Sequence, residues 1–559
     1  MATGKHFINN VDGVVLQGLR SLLSQNGSLR LIEAHRVIYR QPSNSQDPKV
    51  ILVSGGGSGH EPAHAGYIGN GMLDVCVAGD VFASPSASQI LAGIKACKSP
   101  KGVLIIAKNY TGDKLNFGLA AQKAQALGIR VNAVFVGDDV SVESNDLVGR
   151  RGLAGVVFVH KIAGALAESG ASLEQVTTMA QRIAGSLVTV GVSLDRCSVP
   201  QRPKQDSLPA DSLEYGMGIH NEPGVQRAKI GSLSETIATL QRLLEPHLHA
   251  VKRAAIMVNN LGGLSVLELN VIAQHVRESL KGYGISRMLV GTFVTSLNAP
   301  GFLVTVLPLD DEIETLLNRP TNAPAWQNFV AAASPGQQIV EVEPTAVNAR
   351  ISGVTIEQTV VRKIIDSIYE AVGVDEPLIT RYDTIAGDGD CGETLLNGVK
   401  AVRSALQNPA SDLSSVFSQV ATAVERSMGG TSGAIYSIFL SAVANALASA
   451  TECSAVELAK ALSQGVQELC RFTSARKNHR TLMDALLPFT ETFAETLDFD
   501  QSFLAAKAGS DQTRHLPALL GRASYVGKEV WEKEGGIPDP GALGVVSILR
   551  GIQNSLGSA

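Results

Sequence analysis

Cysteine is scarce: the 559 residues hold six, scattered and with no Cys-x-x-Cys pair. That fits reduced thiols better than a disulfide framework or a zinc site. Net charge is −5 and no Lys/Arg-rich block interrupts the chain, which argues against a nucleic-acid binder. No run reaches the ~18 apolar residues expected of a membrane span. The opening Met1-Ala-Thr-Gly-Lys-His-Phe7 lacks the apolar core of a secretory signal. These absences predict a cytoplasmic protein with no nucleic-acid and no membrane partner. Apolar residues make up 45% and charged residues 18%, so the chain can bury real cores. Its length allows three or four domains.

What is present gathers in an acidic, glycine-interrupted stretch, Arg381-Tyr-Asp-Thr-Ile-Ala-Gly-Asp-Gly-Asp-Cys-Gly-Glu-Thr394. Asp383, Asp388 and Asp390 read as three carboxylates in one short loop. Close carboxylates repel, and each costs desolvation energy when covered. A hard divalent cation removes both penalties and keeps positions open for phosphate oxygens. Gly387, Gly389 and Gly392 carry no side chain to block a phosphate, and Thr394 reads as the N-cap of a following helix. The stretch is therefore either a Mg²⁺–nucleotide site at the mouth of a helical domain or an acidic surface turn.

Upstream, a helical run spans Val11 to Leu23, and Val50-Ile-Leu-Val53 reads as a strand buried on both faces. The strand runs into Ser54-Gly-Gly-Gly-Ser-Gly-His-Glu61, expected as a glycine loop opening a helix. It is no Walker A loop, since Gly59 is followed by His60, and no dinucleotide fingerprint, since the sixth place from Gly55 is His60. It is a cradle for something small and polar, or a tight turn. A second strand, Gly102 to Ala107, delivers Lys108-Asn-Tyr-Thr-Gly-Asp113 to the same sheet edge, and a third spans Val131 to Val136. Alternation with helices, one of them around Ala163 to Ser169, predicts a doubly wound parallel sheet through about residue 185.

A second α/β unit is expected from Val188, with strands at Ala254–Val258, Met288–Phe293 and Phe302–Leu307. Its loop Gly216-Met-Gly-Ile-His-Asn-Glu-Pro-Gly224 holds His220 where it can reach a ligand or serve the loop itself. Periodicity fades and proline rises over 335–352, the expected linker. Beyond it the strand signal disappears. Apolar residues recur at helical spacing from Val361, and runs at 415–427, 433–450, 455–472 and 481–495 predict an all-α domain. Met428-Gly-Gly-Thr-Ser-Gly-Ala434 stands before one of these helices, as an anion-binding N-terminus or a close-packing cap.

Ser54–His64, Lys108–Asp113, Gly216–His220, Asn259–Gly263, Gly387–Gly392, Met428–Gly433 and Pro538–Gly541 occur in that order. In this the chain resembles the single-chain, ATP-dependent dihydroxyacetone kinases, a group that includes the animal triokinase/FMN cyclases. The resemblance implies an α/β substrate-binding domain at 1–334, with subdomains at about 1–187 and 188–334. It implies a nucleotide-binding barrel of antiparallel helices at 353–559. It assigns carbonyl capture to His220 and substrate contacts to Gly57, Ser58, Gly59, His60, Lys108 and Asp113. Metal binding falls to Asp383, Asp388 and Asp390. Nucleotide contacts fall to Asp388, Gly389, Asp390, Cys391, Thr431, Ser432, Thr473, Thr481, Leu482, Asp539, Pro540 and Gly541. One departure is Lys477-Asn-His-Arg-Thr-Leu-Met-Asp484, which lacks the acidic residue that relatives carry before this turn.

The implied activity is transfer of the ATP γ-phosphate to dihydroxyacetone and D-glyceraldehyde, with Mg²⁺ or alternatively Mn²⁺, in a homodimer. An imidazole nitrogen that adds to a ketone has no second proton to lose, so the adduct stops at the hemiaminal and glycerol is excluded. Asp113 is the expected general base, with His60 orienting or sharing the proton. The alternatives are an FAD–AMP lyase at the same metal site, or a kinase for another short hydroxyketone.

Overall fold

The computed structural model describes residues 5–8, 11–40, 48–97, 99–142, 149–203, 207–328, 339–340, 342 and 354–557. Nearly all of the expected linker at 335–352 lies outside them. The chain divides into two compact units, Met1–Gln338 and Ile339–Ala559.

The first unit contains two six-stranded sheets. The first is made of β1 (Leu29–Ile32), β2 (Val37–Arg40), β3 (Ile51–Ser58), β4 (Val75–Val81), β5 (Val103–Lys108) and β6 (Val131–Val136), in the order β1-β2-β4-β3-β5-β6. The second is made of β7 (Val188–Ser193), β8 (Ser212–Tyr215), β9 (Gln226–Lys229), β10 (Ala254–Asn260), β11 (Ile285–Gly291) and β12 (Gly301–Pro308), in the order β11-β10-β12-β7-β8-β9. Its helices are α1 (Val14–Gln25), α2 (Ala87–Ala96), α3 (Thr111–Ala126), α4 (Val156–Glu168), α5 (Leu173–Ser186), α6 (Leu233–Leu244), α7 (Val266–Ser279) and α8 (Asp311–Asn318).

The doubly wound parallel expectation needs correction. β3 to β6 are parallel, but β1 and β2 run antiparallel to their neighbours, and the second sheet is antiparallel except for β10 with β11. The strands β1, β2, β8 and β9 are only four residues long each, too short for a period of two to show, and β8 and β9 are also rich in polar residues.

Side-chain alternation builds the layers. Ile51, Val53, Val103 and Ile105 face one way and pack with Ile90, Ile94 and Phe117 of α2 and α3. Leu52, Leu104 and Ile106 face the other way, onto Val156, Val159, Ile162 and Ile183 of α4 and α5. That same core takes in Ala255, Met257, Leu303 and Leu307 from the second sheet. The remaining face of the second sheet, with Val190, Val192, Ile256 and Val304, packs on Ile237, Leu240, Leu269 and Ile272 of α6 and α7. Helix α4 is therefore enclosed between the sheets, which is why it is apolar nearly all round.

Asp138, just past β6, joins the two sheets. Its carboxylate accepts from Leu153 N at 2.6 Å, Gly155 N at 2.8 Å and Thr189 Oγ1 of β7 at 2.5 Å. Its backbone oxygen accepts from Thr189 N at 2.7 Å.

Described by itself, the second unit is helical: α9 (Gln358–Ala386), α10 (Cys391–Ala405), α11 (Leu413–Ser427), α12 (Gly430–Leu447), α13 (Ala455–Phe472), α14 (Met483–Thr496), α15 (Phe499–Gln512), α16 (Lys528–Glu532) and α17 (Pro540–Gly557). α9 and α17 approach so closely that a Cβ on Gly551 would lie 2.4 Å from Ile368 Cα. Among the described residues α12 alone is long and apolar enough, by length and composition, to cross a membrane, although glycine, serine, threonine and asparagine interrupt it and it is no unbroken apolar run. It packs between α11 and α13, with Phe439, Val443 and Leu447 buried.

Replacing Asp138 strands three donors. Asp138→Ala is expected to lower unfolding free energy by about 3–5 kcal/mol. The measurement is a shifted urea midpoint with unchanged slope; a loss below about 1 kcal/mol would show that the carboxylate is dispensable.

Candidate active site

In the first unit the site forms where β3 and β5 end. The strand β3 does not stop at the glycines, as expected, but continues through Gly57 to Ser58. No α-helix opens behind it. Ser58 is buried and its hydroxyl donates to Gly79 O at 2.9 Å. Gly59 has φ +99°, and a Cβ there would lie 2.7 Å from the Phe82 ring. Its N–H donates to Glu61 Oε2 at 2.8 Å.

His60 is 1% exposed and its Nδ1 lies 2.8 Å from Thr295 O. A carbonyl oxygen only accepts, so Nδ1 carries the proton. Burial, then the charges of Lys108 and His220, push the His60 ring well below the ordinary histidine range. His60 Nε2 faces His220 Nε2 at 3.0 Å. The His220 side chain keeps 22% of its surface exposed. It is walled by Tyr110 and Phe82, edge to face at 4.6 and 5.1 Å between ring centres.

Lys108 ends β5 at 1% exposure, and its Nζ has no hydrogen-bond partner among the described residues. Burial lowers its pKa to about 8, against the attraction of Asp113, Glu222, Asp138 and Glu61. Asp113 sits in the first turn of α3, buried, with Oδ1 accepting from Ser84 Oγ at 2.5 Å. Burial raises its pKa, against Ser84, Lys108 and His220. Among the described residues no hydrogen bond joins His60 to Asp113. Ser84, not His60, is the partner of Asp113, so the expected sharing of one proton between that pair has no direct route.

In the second unit, ligand atoms of Asp383, Asp388 and Asp390 all lie within 4.8 Å of one another. Two local expectations change. Asp383 belongs to the last turn of α9 rather than to a loop, and α10 starts at Cys391 with Asp390 at its N-cap, so Thr394 lies inside the helix. Asp383 Oδ2 accepts from the N–H groups of Gly389, Asp390 and Cys391 at 3.0, 2.9 and 3.0 Å. That leaves Oδ1 and the carboxylates of Asp388 and Asp390 for a cation. A close set of oxygens on one face suits a divalent ion such as Mg²⁺. Arg522 is ion-paired with Asp388.

Beside the trio, Asp539 is buried with Oδ1 accepting from Ala542 N at 2.9 Å. Burial raises it to about 6, with Asp484 and Asp383 pushing the same way against Arg480. Pro540 and Gly541 open α17, and a Cβ on Gly541 would lie 3.2 Å from Leu482 Cβ. Thr481 N and Asn478 N both donate to Asp484, which shapes the turn. Cys391 feels the charges of Asp383, Asp539 and Asp390. Thr431 and Ser432 stand in the first turn of α12, whose Gly429 cap leaves amide donors without a side-chain acceptor. Thr473 caps the end of α13. Among the described residues no hydrogen bond or ion pair joins Thr431, Ser432 or Thr473 to the aspartates.

Sequence reasoning missed Glu222, Ser84, Thr295, Phe82 and Arg480. Arg480 is 1% exposed and stacked 4.2 Å from the Trp531 ring; its Nη1 lies 4.0 Å from Asp539 Oδ2, and neither Nε nor Nη1 makes a hydrogen bond among the described residues.

A partly exposed imidazole and a buried lysine in an α/β unit, with converging carboxylates in a helical unit, fit a kinase for a small carbonyl compound. The chain matches the Dak1 domain family over residues 20–325 and the DAK2 domain family over 385–554. It is 42% identical to dihydroxyacetone kinase 2 of Saccharomyces cerevisiae, over 97% of this chain and 98% of that protein. It is 37% identical to triokinase/FMN cyclase of Homo sapiens, over 100% of both. It is similar to the crystal structure of the dihydroxyacetone kinase from C. freundii in complex with AMP-PNP and Mg²⁺, with TM-score 0.68 and 32% identity, over 99% of this chain and 100% of that one. The chain belongs to the dihydroxyacetone kinase family.

The burial of Lys108 sets a pH-dependent cost. Its folded pKa is about 8, below the ~10.4 of an unfolded chain. The unfolded state therefore binds more protons between these values, and stability rises with pH across that window. Below it the penalty is complete. Lys108→Met is expected to gain about 1–3 kcal/mol at pH 7 while losing turnover. Urea unfolding at pH 7 and pH 10.5 checks this, and the gain should shrink at the higher pH.

Proposed function

We propose that this chain transfers the γ-phosphate of ATP to dihydroxyacetone, and to D-glyceraldehyde, with the acceptor held on His220. The observation that carries the reading is His220 itself. Its ring is partly exposed, gripped at Nδ1 by Glu222 at 2.9 Å and packed against Tyr110, whose ring lies 5.8 Å from a Lys108 ammonium that makes no hydrogen bond among the described residues. Nε2 adds to the carbonyl carbon, and with no second proton on that nitrogen the adduct rests as a hemiaminal. Glycerol offers no carbonyl. Holding the ketone in this way aims its hydroxyl, and alignment of this kind lowers a barrier by at most about 7–11 kcal/mol. Asp113, raised by burial, accepts the hydroxyl proton. Lys108 donates to a substrate oxygen, and the backbone of Gly57, Ser58 and Gly59 lines the cradle.

Asp383, Asp388 and Asp390 would hold Mg²⁺, or Mn²⁺ in its place, and the bound ion would neutralise phosphate charge. Gly389, Cys391, Thr431, Ser432, Thr473, Thr481, Leu482, Asp539, Pro540 and Gly541 line the nucleotide. The domain division 1–334 and 353–559 follows the same assignment, acceptor to the first and donor to the second. Six unpaired thiols support a reducing compartment, the cytoplasm. A homodimer is supported by Val266, Leu267 and Val271 of α7, large apolar side chains left 76, 76 and 47% exposed. Light scattering on the full chain should give twice the chain mass; a monomer at micromolar concentration would remove this part.

A second reading is favoured by the human relative's printed name: an FAD–AMP lyase step at the same aspartates, in which a ribityl hydroxyl of FAD attacks the flavin-side phosphorus, AMP leaves and a cyclic FMN remains. ADP release is measured with dihydroxyacetone, glyceraldehyde and glycerol, with and without Mg²⁺. Turnover is expected with the first two only. His220→Ala should abolish discrimination against glycerol, and Asp113→Ala should lose turnover while substrate binding persists. Equal rejection of glycerol by wild type and His220→Ala would overturn the anchor. FAD with Mn²⁺ replacing Mg²⁺ isolates the second reading, which survives His220→Ala.

A further inference from the structure

We propose that Glu222 is a positioning residue for substrate capture, one that holds His220 in the Nδ1–H tautomer and balances the charge its ring acquires when the N–C bond forms. The inference rests on the carbonyl-anchor reading above.

The geometry is two-pronged. Glu222 Oε1 lies 2.9 Å from His220 Nδ1, and Oε2 accepts the backbone N–H of His220 at 2.8 Å. One carboxylate thus fixes both the ring and the main chain that carries it. The loop is shaped to permit this. A Cβ on Gly218 would lie 2.1 Å from Glu222 Oε2, so only glycine leaves room for the carboxylate to fold back. Gly218 N donates to Glu222 O at 3.0 Å. The loop is tied down from outside: Arg151 Nη2 donates to Gly216 O at 2.6 Å, and Asn221 exchanges hydrogen bonds with Cys197 N and O at 2.9 and 3.2 Å. Burial would raise the Glu222 carboxyl, but the His220 ring, its charge and its backbone N–H hold it near 2. It is an acceptor at any working pH.

A carboxylate acceptor at Nδ1 places that proton on Nδ1 and leaves the lone pair on Nε2. His60 is fixed the same way by Thr295 O, which leaves its own lone pair on Nε2. Capture then balances. His220 Nε2 forms the bond to the carbonyl carbon, the C=O π pair moves onto oxygen, and a proton passes from the Lys108 ammonium to that oxygen. The ring of His220, now bonded at Nε2 and still protonated at Nδ1, carries the positive charge. Glu222 lies against it, and can take the Nδ1 proton to leave a neutral pair. No outside co-reactant is needed. An acceptor that prefers Nδ1–H is therefore needed twice, before addition for the lone pair and after it for the charge.

Glu222→Gln tests this. Its amide can donate to Nδ1 and so favour the proton on Nε2, the nitrogen that must attack. An amide in place of a carboxylate beside a catalytic imidazole elsewhere costs about 10⁴-fold through the wrong tautomer. The full chain labelled with ¹⁵N-histidine is mixed with [2-¹³C]dihydroxyacetone. The ¹⁵N shifts of His220 report the tautomer of the free protein, and a ¹³C–¹⁵N coupling reports the covalent bond. Wild type is expected to show Nδ1–H and the coupling. Glu222→Gln is expected to show the inverted tautomer, no coupling, a loss in kcat/KM of about 10²–10⁴-fold and an unchanged melting temperature. Glu222→Asp, which keeps a carboxylate, should recover part of the coupling. Absence of coupling in wild type would sink the anchor reading itself. Coupling in wild type with an Nε2–H tautomer, or coupling retained in Glu222→Gln, would sink the role of Glu222 alone. The wild-type tautomer decides the matter even if Glu222→Gln does not fold.

Discussion

Two imidazole nitrogens facing each other at 3.0 Å are the constraint on which the α/β unit is built. His60 follows β3 of the first sheet, and the group that fixes its tautomer, Thr295, follows β11 of the second. His220 sits on a loop after β8. The contact therefore exists only if both sheets are docked in register on the enclosed helix α4. Asp138 supplies that docking next to the site by joining the end of β6 to β7. Glycines at 59 and 218 then let the backbone close to distances that a Cβ would forbid.

The helical unit solves a different problem, how to gather like charges without a core of counter-charges. Asp383 divides its oxygens. One draws three successive N–H groups around itself and so sets the path of residues 387–391, while the other remains available. The N-terminus of α10 adds a favourable field for the carboxylates beside it. Arg522 provides a local positive charge for Asp388. Asp383 is placed by α9, a long helix held against α17 by the absence of a side chain at Gly551 and by Arg550 on Asp375 at 2.8 Å. The acidic site is thus referenced to a rigid helix pair and not to a free loop.

Much of this was legible in the sequence, for identifiable reasons. Strands such as β3, β5 and β10 announce themselves because both faces are buried, and the long amphipathic helices of the second unit because their period is sustained. The acidic trio was legible because chain separation of a few residues guarantees spatial closeness. What sequence could not supply was pairing over long separations. Thr295 meets His60, and Ser84 meets Asp113, through folding alone; nothing local marks either residue. Glu222 was within reach, two residues from His220 in a glycine-bracketed loop, but a carboxylate two positions away meets the ring only when the backbone turns back. Strand direction failed for a related reason. The antiparallel edges come from segments of four residues, too short to show a period, and the glycines after Val53 read as a strand end because their lack of Cβ, not their position, defines them.

The placement of the reactive groups follows from dielectric. Removal from water disfavours the charged form of a lysine and of an aspartate alike, and so shifts their pKa values toward one another. Lys108 and Asp113 sit where two sheets and their helices close over the carboxyl ends of β3 and β5, so the layers that stabilise the fold also desolvate the site. The cost is real: a lysine shifted to about 8 forfeits roughly 3 kcal/mol, a sizeable share of the 5–15 kcal/mol by which domains are stable. His64 and His160, buried at 2.9 Å from each other with their outer nitrogens unpartnered among the described residues, add to it. Only a thick apolar sandwich can offset so many polar groups at one edge. Helix α4, whose apolar surface is broken only by His160, Lys161 and the terminal Glu168, is the element that supplies it, and its burial and the desolvation of the site are two consequences of the same packing.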